Sequence, residues 1–230
     1  FIGSYIKRNL NKKILIKSLS FEDISKKNIN FFDQFSYIIN TSIHKNYVKK
    51  KYNKRYDLDR KFIDRFINLK FIYIYLNTRK IYLPKSNINE KSPIKPQDQY
   101  AKNKLITENY LRKKIKKNLL SLRSSNVFGK RIYNHSRQSH KLFFDNFLLY
   151  KKKNKSLIVE NSFKDFITIN QFTRILYKIF QIKLVGIYNV SLSKKIFLSE
   201  IVYWLDKKFY YNTKFINSNN SSFTLSNKKL

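Results

Sequence analysis

The sequence predicts an α/β fold built on a parallel sheet, with a smaller and less regular lobe woven into its last third. Three observations predict it. Short apolar runs alternate with amphipathic stretches over the first 130 or so residues. The runs "KKILIKSLS", "SYIINTS", "LKFIYIYLNT" and "LLSLRSSNVFG" are nearly continuous, as expected of strands buried on both faces. The length of 230 residues suffices for one good core, or for a core plus a small lobe.

The elements follow in order. "FIGSYIKRNL" has apolar residues at 1, 2, 5, 6 and 10, a helical spacing. "KKILIKSLS" reads as a buried strand, and "EDISKKNINFFDQF" as a link containing a helical turn. "SYIINTS" is a second strand that ends in small polar residues. "RYDLDRKFIDRFIN", apolar at 58, 62, 63, 66 and 67, is an amphipathic helix. A third strand follows and stops at Asn77-Thr78; residues 79–97 then hold all three prolines and read as a loop. From Asp98 to Asn118, Tyr100, Leu105, Tyr110, Leu111 and Ile115 recur at helical spacing, and a fourth strand closes at Gly129. Beyond it come "KLFFDNFLLYKKK" as helix, "SLIVE" as strand, "TINQFTRILYKIFQ" as helix, "GIYNVS" as strand and "FLSEIVYWLDKKF" as helix. The Asn/Ser-rich stretch at 217–222 reads as a surface loop.

Composition removes several functions. With no Cys there are no disulfides or thiolate metal sites, and His44, His135 and His140 are too few and badly spaced for zinc. No metal is expected. No uncharged run of about twenty apolar residues is present, and no signal peptide, so a cytoplasmic protein without membrane contact is expected. Lys and Arg number 49 against 14 Asp and Glu, a net charge of +35, whose first reading is nucleic acid. The lysines, however, are scattered through every segment, and Asn, Ile, Phe and Tyr are inflated with them. The aromatics sit in apolar runs that core burial explains. The charge is a background, and no nucleic-acid partner is expected. The chain has no Met and opens inside an apolar segment, so a fragment truncated at both ends is expected.

One spacing carries chemistry. In "PIKPQDQYAKNKLITE", Tyr100 and Lys104 are four apart, which on a helix places them on one face. A neighbouring cation favours a phenolate, and this makes a tyrosine usable as an acid/base toward a hydroxyl or ketone. The spacing alone is uninformative, since Tyr47…Lys51, Tyr110…Lys114 and Tyr203…Lys207 share it. What distinguishes Tyr100…Lys104 is the strand upstream, which delivers Thr78 at its carboxyl end, where open α/β sheets bind ligands.

These residues resemble the extended short-chain dehydrogenase/reductases of the NAD-dependent epimerase/dehydratase type. "FIGSYIKRNL" is similar to the family's "GFIGSHLV..L", "FIYIYLNTRKIY" to "VYISSSSVYG", and "PIKPQDQYAKNKLITE" to "P..P...YGKSKL..E". "LLSLRSSNVFG" resembles "ilRisNvyG", "FKDFITINQF" resembles "RDFIHVDDV", and "GIYNVSLSKKIFLSEIV" resembles "GiyNvgsGkp.sl.elv". The resemblance covers nearly the whole chain. It implies a Rossmann-like doubly wound parallel sheet, lacking its first strand here, in a dinucleotide-binding domain at 1–130. Residues 131–230 would be a mixed region, a substrate-binding lobe interleaved with the last sheet strands.

The resemblance further implies an epimerase or keto-reductase acting on a nucleotide-activated sugar. Tyr100 would be the acid/base, Lys104 would support it and bond the nicotinamide ribose, and Thr78 would orient the substrate oxygen. Gly3 would be the last glycine of the phosphate-binding fingerprint, so Gly3, Tyr100 and Lys104 form the cofactor set. Asn126, at a position that commonly approaches the sugar nucleotide, reads equally as a turn residue. The cofactor would be NAD or NADP, with Lys17 and Ser18 standing where NAD enzymes place a ribose-binding acid, which tilts toward NADP. A homodimer is compatible with the family. Departures narrow the reaction: Arg79-Lys80 replaces the Asp-Glu pair with which 4,6-dehydratases perform elimination, and Leu83 stands where a Gly is usual. The first two fingerprint glycines are missing, so the pyrophosphate cradle is expected to be incomplete. The competing expectations are a catalytically degenerate relative with a structural or regulatory role and, behind it, a basic nucleic-acid-binding protein.

Overall fold

The apolar runs assemble into a four-stranded parallel sheet in the computed structural model of the chain. The structure describes residues 1–129, 147, 149–150, 152–153, 157–217 and 222–230. The first half holds α1 (Ile2–Leu10), α2 (Phe21–Ser25), β1 (Tyr37–Ile39), α3 (Lys45–Lys49), α4 (Leu58–Ile63), β2 (Ile72–Thr78) and α5 (Gln99–Ile115). Then come β3 (Leu119–Ser124), β4 (Asn126–Phe128), β5 (Leu157–Asn161), β6 (Phe163–Lys164), β7 (Phe166–Thr168) and α6 (Ile169–Ile182). The chain closes with β8 (Gly186–Val190), β9 (Ile196–Phe197), α7 (Leu198–Leu205), α8 (Lys207–Tyr211) and β10 (Thr213–Asn217). The main sheet has the order β1-β2-β3-β8, while β10-β5, β4-β7 and β6-β9 form separate pairs.

Both faces of the main sheet are covered, which explains the continuous apolar runs. Successive side chains of a strand point to opposite faces. Ile74, Leu120 and Leu122 therefore join Ile6 and Leu10 of α1 and Phe172, Leu176 and Ile179 of α6 on one side. Tyr73, Tyr75 and Leu119 pack with Phe62 and Ile63 of α4 and Leu111 and Ile115 of α5 on the other. This is a doubly wound sheet.

Local chemistry sets the helix ends. The Asp98 carboxylate caps α5 by accepting the Ala101 amide at 2.8 Å, and Arg112, Lys113 and Lys114 complement the negative end of its dipole. Thr168 and Gln171 form a capping box on α6, which stops at Lys183 in a left-handed conformation.

Three expectations change. Residues 12–20 form no strand: Ile14 and Ile16 pack on the core, but Leu15 is 96% exposed and no backbone ladder ties the segment to β1. Apolar packing holds it, with the Lys13 and Ile14 amides donating to the Leu10 carbonyl and Lys13 and Lys17 resting over the Tyr177 and Phe31 rings. The helix expected over 55–68 keeps regular α geometry only at α4, and Ile67, placed on its apolar face by spacing, is 98% exposed. The helix expected at 197–209 is two helices, because Asp206 takes extended backbone angles between α7 and α8. The helix expected at 141–153 lies largely outside the described residues, as does most of the loop at 217–222. Among the described residues no helix is long and apolar enough to cross a membrane.

Candidate functional site

Strand β2 and helix α5 run in opposite senses, and tethers at Tyr75–Lys104 and Lys80–Asp98 fix their register. The Tyr75 hydroxyl donates to the Lys104 carbonyl at 2.9 Å. Further up, the Lys80 ammonium donates to the Asp98 carboxylate at 2.8 Å, and the Gln97 amide donates to the Lys80 carbonyl at 2.9 Å. Thr78 and Tyr100 lie between these ties, so the carboxyl end of β2 and the first turn of α5 meet at one place. Thr78 is half-buried, and its hydroxyl oxygen accepts the Lys80 amide at 3.3 Å. That bond uses a lone pair and leaves the O–H to donate. Tyr100 is half-buried one turn before Lys104.

Lys104 is the unusual member, only 7% exposed. Its ammonium sits 4.5 Å from the Tyr75 ring centre, 5.8 Å from Tyr47 and 6.0 Å from Tyr100. Three ring faces thus receive one cation. Behind the box lie two buried carboxylates, Asp57 and Asp59. Asp59 accepts the Tyr73 hydroxyl at 2.7 Å. Burial raises its pKa, opposed by the Lys104 charge and the Tyr73 hydrogen bond. Asp57 caps α4 and accepts Thr107 at 2.6 Å and Tyr52 at 2.9 Å. Since the one Thr107 hydroxyl hydrogen serves Asp57, the Tyr47 hydroxyl donates to Thr107 at 2.7 Å. Burial pushes the phenols of Tyr47, Tyr73 and Tyr75 upward, which keeps them neutral donors.

The other Tyr-x-x-x-Lys pairs look different. Tyr110 and Lys114 both engage Asp64 at the surface. Tyr203 is exposed, with Lys207 stacked at 5.5 Å beyond the break between α7 and α8. Tyr47 is a core residue, whereas its partner Lys51 is exposed. Tyr100…Lys104 is the pair that turns its lysine inward beside a strand end.

Gly3 lies in the first turn of α1, where an added Cβ would collide with the Thr41 hydroxyl and stand 3.3 Å from the Thr41 Cβ. Glycine therefore lets the helix start abut the loop after β1. Asn126 begins β4 as a half-buried residue, its amide donating to the Asp165 carbonyl at 3.2 Å. The structure places Thr78 at the carboxyl end of β2 and sets Tyr100 and Lys104 on α5 with the Lys104 ammonium 6.0 Å from the Tyr100 ring centre, while Gly3 and Asn126 stand on α1 and β4. Lys17, the residue behind the NADP tilt, rests its ammonium 4.7 Å over the Phe31 ring.

Polar groups missed in the sequence collect at the carboxyl edge of the sheet. Asn40 follows β1, Asn77 and Arg79 stand at the end of β2, and Ser125 follows β3. Each has a buried side-chain atom without a well-formed hydrogen bond among the described residues. The amide of Asn40 still lies against Asp59 and that of Asn77 against Glu108, each opposing the upward effect of burial on its carboxyl. Deeper in the molecule, Glu108 of α5 pairs with Arg123 of β3, both almost fully buried. Arg123 also donates to the Tyr82 hydroxyl at 2.7 Å, and Tyr82 donates to Asn189 of β8 at 3.0 Å. A signal for these groups existed: with only 14 acids in the chain, "YDLD" before a helix and a lone Glu inside "KLITEN" stand out.

No curated protein matches the chain by sequence. Among solved structures, the chain is similar to UDP-N-acetylglucosamine 4-epimerase from Methanobrevibacter ruminantium M1, solved in complex with UDP-N-acetylmuramic acid. The TM-score is 0.72 and the identity 17%, covering 98% of this chain and 85% of that one. A dTDP-4-dehydrorhamnose reductase from Clostridium acetobutylicum ATCC 824 aligns at TM-score 0.73 and 15% identity, covering 98% and 86%. The enzyme WbmH of Bordetella bronchiseptica, in complex with NAD+, aligns at 0.73 and 14%, covering 100% and 86%. At such identities the likeness is one of fold. The sequence profile of the NAD dependent epimerase/dehydratase family matches residues 51–191, a span that holds Thr78, Tyr100, Lys104 and Asn126. With more than half of its length matched, the chain belongs to the NAD dependent epimerase/dehydratase family.

Proposed function

We propose that the chain is a nicotinamide-dependent epimerase or keto-reductase of a nucleotide-activated sugar, with Tyr100 as its acid/base. The observation that supports this most is the buried Lys104 ammonium, held beneath the Tyr100 ring at the end of the sheet where Thr78 also arrives. The residues present fit a dinucleotide. Helix α1 starts at Phe1 with no side-chain cap and no acidic residue in its first turn, so its amides are open to an anionic group. Gly3 keeps that turn close against Thr41. On this reading Gly3 faces the pyrophosphate, while Lys104 and Tyr100 hold the nicotinamide ribose of NAD or NADP. The bound nicotinamide supplies an acceptor or donor for a hydride.

The chain's own groups handle the proton. Thr78 donates its O–H to the sugar oxygen and fixes it beside the Tyr100 hydroxyl. Tyr100 removes the proton from that oxygen as the carbinol becomes a ketone, and returns it when the ketone is reduced. Lys104 places its ammonium 6.0 Å from the Tyr100 ring centre, beside the hydroxyl that passes the proton. Asn126 contacts the sugar nucleotide from the start of β4. Arg79 and Lys80 offer no carboxylate for elimination, which leaves epimerisation or keto reduction. In a Tyr100→Phe variant, turnover of UDP- and dTDP-linked hexoses with NAD or NADP should fall by about 10²- to 10⁴-fold while the circular dichroism spectrum stays unchanged. Undiminished turnover would sink the assignment.

A further inference from the structure

Rings, not carboxylates, hold the Lys104 ammonium. It lies 4.5 Å from the centre of the Tyr75 ring and 5.8 Å from that of Tyr47. It makes no hydrogen bond or ion pair with a described residue, and Asp59 acts on it through charge alone. Lys104 is 7% exposed, and its nitrogen keeps some contact with solvent. An ammonium on a flexible four-carbon stem has many positions open to it, so something must hold it at one of them.

The two rings are themselves anchored. Tyr75 is fully buried and, like Tyr73 two positions before it, faces the α4 and α5 side of β2. Its hydroxyl donates to the Lys104 carbonyl at 2.9 Å. One residue thus touches the backbone of Lys104 with its hydroxyl and the charged head with its ring. Tyr47 of α3 is 3% exposed. Its hydroxyl donates to Thr107 at 2.7 Å, and its carbonyl accepts the Asn103 side-chain amide at 2.7 Å. Asn103 and Thr107 stand one before and three after Lys104 on α5. The choice of rings has a chemical consequence. A carboxylate would take up the N–H donors of the ammonium, whereas an aromatic face attracts the charge and leaves those donors free.

We propose that Tyr75 is a positioning residue for the hydride transfer: its ring seats the Lys104 ammonium beside Tyr100 and leaves the N–H donors of Lys104 for the bound molecule. This deepens the function proposed above and rests on it. Tyr47 is the second wall of the same seat, and the tie from the Tyr75 hydroxyl to the helix keeps its ring in place.

The test is a double-mutant cycle on turnover of UDP- and dTDP-linked hexoses, read together with the NMR signal of the Lys104 ε-methylene in the full chain. Tyr75→Leu should lower kcat about 3- to 30-fold, the range that one ring–cation contact spans, and should move KM less. Tyr75→Phe keeps the ring and should stay within about 3-fold of the wild type. In a Lys104→Met background, Tyr75→Leu should cost less than about 2-fold more, because the group it positions is gone. The Lys104 ε-methylene protons, assigned with Lys104→Arg, should lie upfield of those of the other lysines through the ring currents. Tyr75→Leu should move them back, and Tyr75→Phe should not. If Tyr75→Leu does not fold by circular dichroism, the wild-type signal and Tyr47→Leu in the same cycle carry the test. Undiminished turnover in Tyr75→Leu overturns the inference, as does an equal loss in the Lys104→Met background. A wild-type Lys104 signal that falls among the other lysines also overturns it. Equal losses in Tyr75→Phe and Tyr75→Leu would assign the effect to the hydroxyl tie and overturn the ring seat. If the wild type turns over no nucleotide sugar with NAD or NADP, the parent function fails and this role with it. If Tyr100→Phe abolishes turnover while Tyr75→Leu keeps it, this inference alone fails.

Discussion

Replacing Glu108 by Gln keeps the shape of the side chain and removes its charge, leaving Arg123 buried with neutral partners. In the folded chain both residues are almost completely excluded from water. Arg123 Nε donates to Glu108 at 3.1 Å while Nη2 engages the other carboxylate oxygen, and Ser121 donates to the same group. Burial by itself would raise the Glu108 pKa. The Arg123 hydrogen bond and charge, with help from Ser121 and Asn77, outweigh it and hold the carboxyl below its ordinary range. Breaking a buried pair by removing one partner costs about 3–5 kcal/mol, because the other charge is left uncompensated. At about 2–4 °C per kcal/mol for a chain of this size, the melting temperature of Glu108→Gln should drop by roughly 6–20 °C. Differential scanning calorimetry measures this directly. The paired replacement Glu108→Leu with Arg123→Met removes both charges and should recover most of the loss. A lowered folded pKa means the contribution is present above the ordinary glutamate range and is lost as pH falls through the folded value. A single variant that loses less than about 1 kcal/mol, or a double variant no better than the single, would refute the role assigned to the pair.

Asp59 behaves with the opposite sign. Its folded pKa is raised, so the stability it contributes is present below the ordinary aspartate range and lost as pH rises through the folded value. Asp59→Asn, which can still accept the Tyr73 hydroxyl, should therefore gain on the wild type as pH rises. Urea midpoints between about pH 4 and pH 8 test it, and a pH-independent difference would contradict it. Gly3→Ala forces a methyl into the Thr41 side chain and should cost about 1–3 kcal/mol, read as a lowered melting temperature. The companion change Thr41→Ala should return part of the loss; an unchanged melting temperature in Gly3→Ala would show that the close approach yields without strain.

The sheet was legible because burial on both faces forces continuous apolar runs, and "FIYIYL" could be little else. Helix α5 was legible for a related reason, with a proline-bearing loop before it and Tyr100, Leu105, Tyr110, Leu111 and Ile115 recurring at helical spacing. The run "KKILIKSLS" misled because a strand needs a partner as well as apolar residues. Residues 12–20 supply packing to the core without a backbone ladder, and the string of letters does not reveal that difference. The segment at 197–209 misled because amphipathic spacing continues through Asp206 although the backbone there does not.

At the site, the sequence determined which residue types stand at which spacing: Thr78 at a strand end, Tyr100 and Lys104 one helical turn apart. It did not separate that pair from three others of equal spacing. The tertiary structure decided which lysine is turned inward, because burial is set by what packs against a helix face, and α5 meets β2 and α3 on the face of Lys104. The same holds for Asp57, Asp59 and Arg79. Their side chains are ordinary surface types in the sequence, and only contacts between distant segments exclude water around them. Arg79 is the clearest case: its covering ring, Phe223, is brought back to it from the far end of the chain.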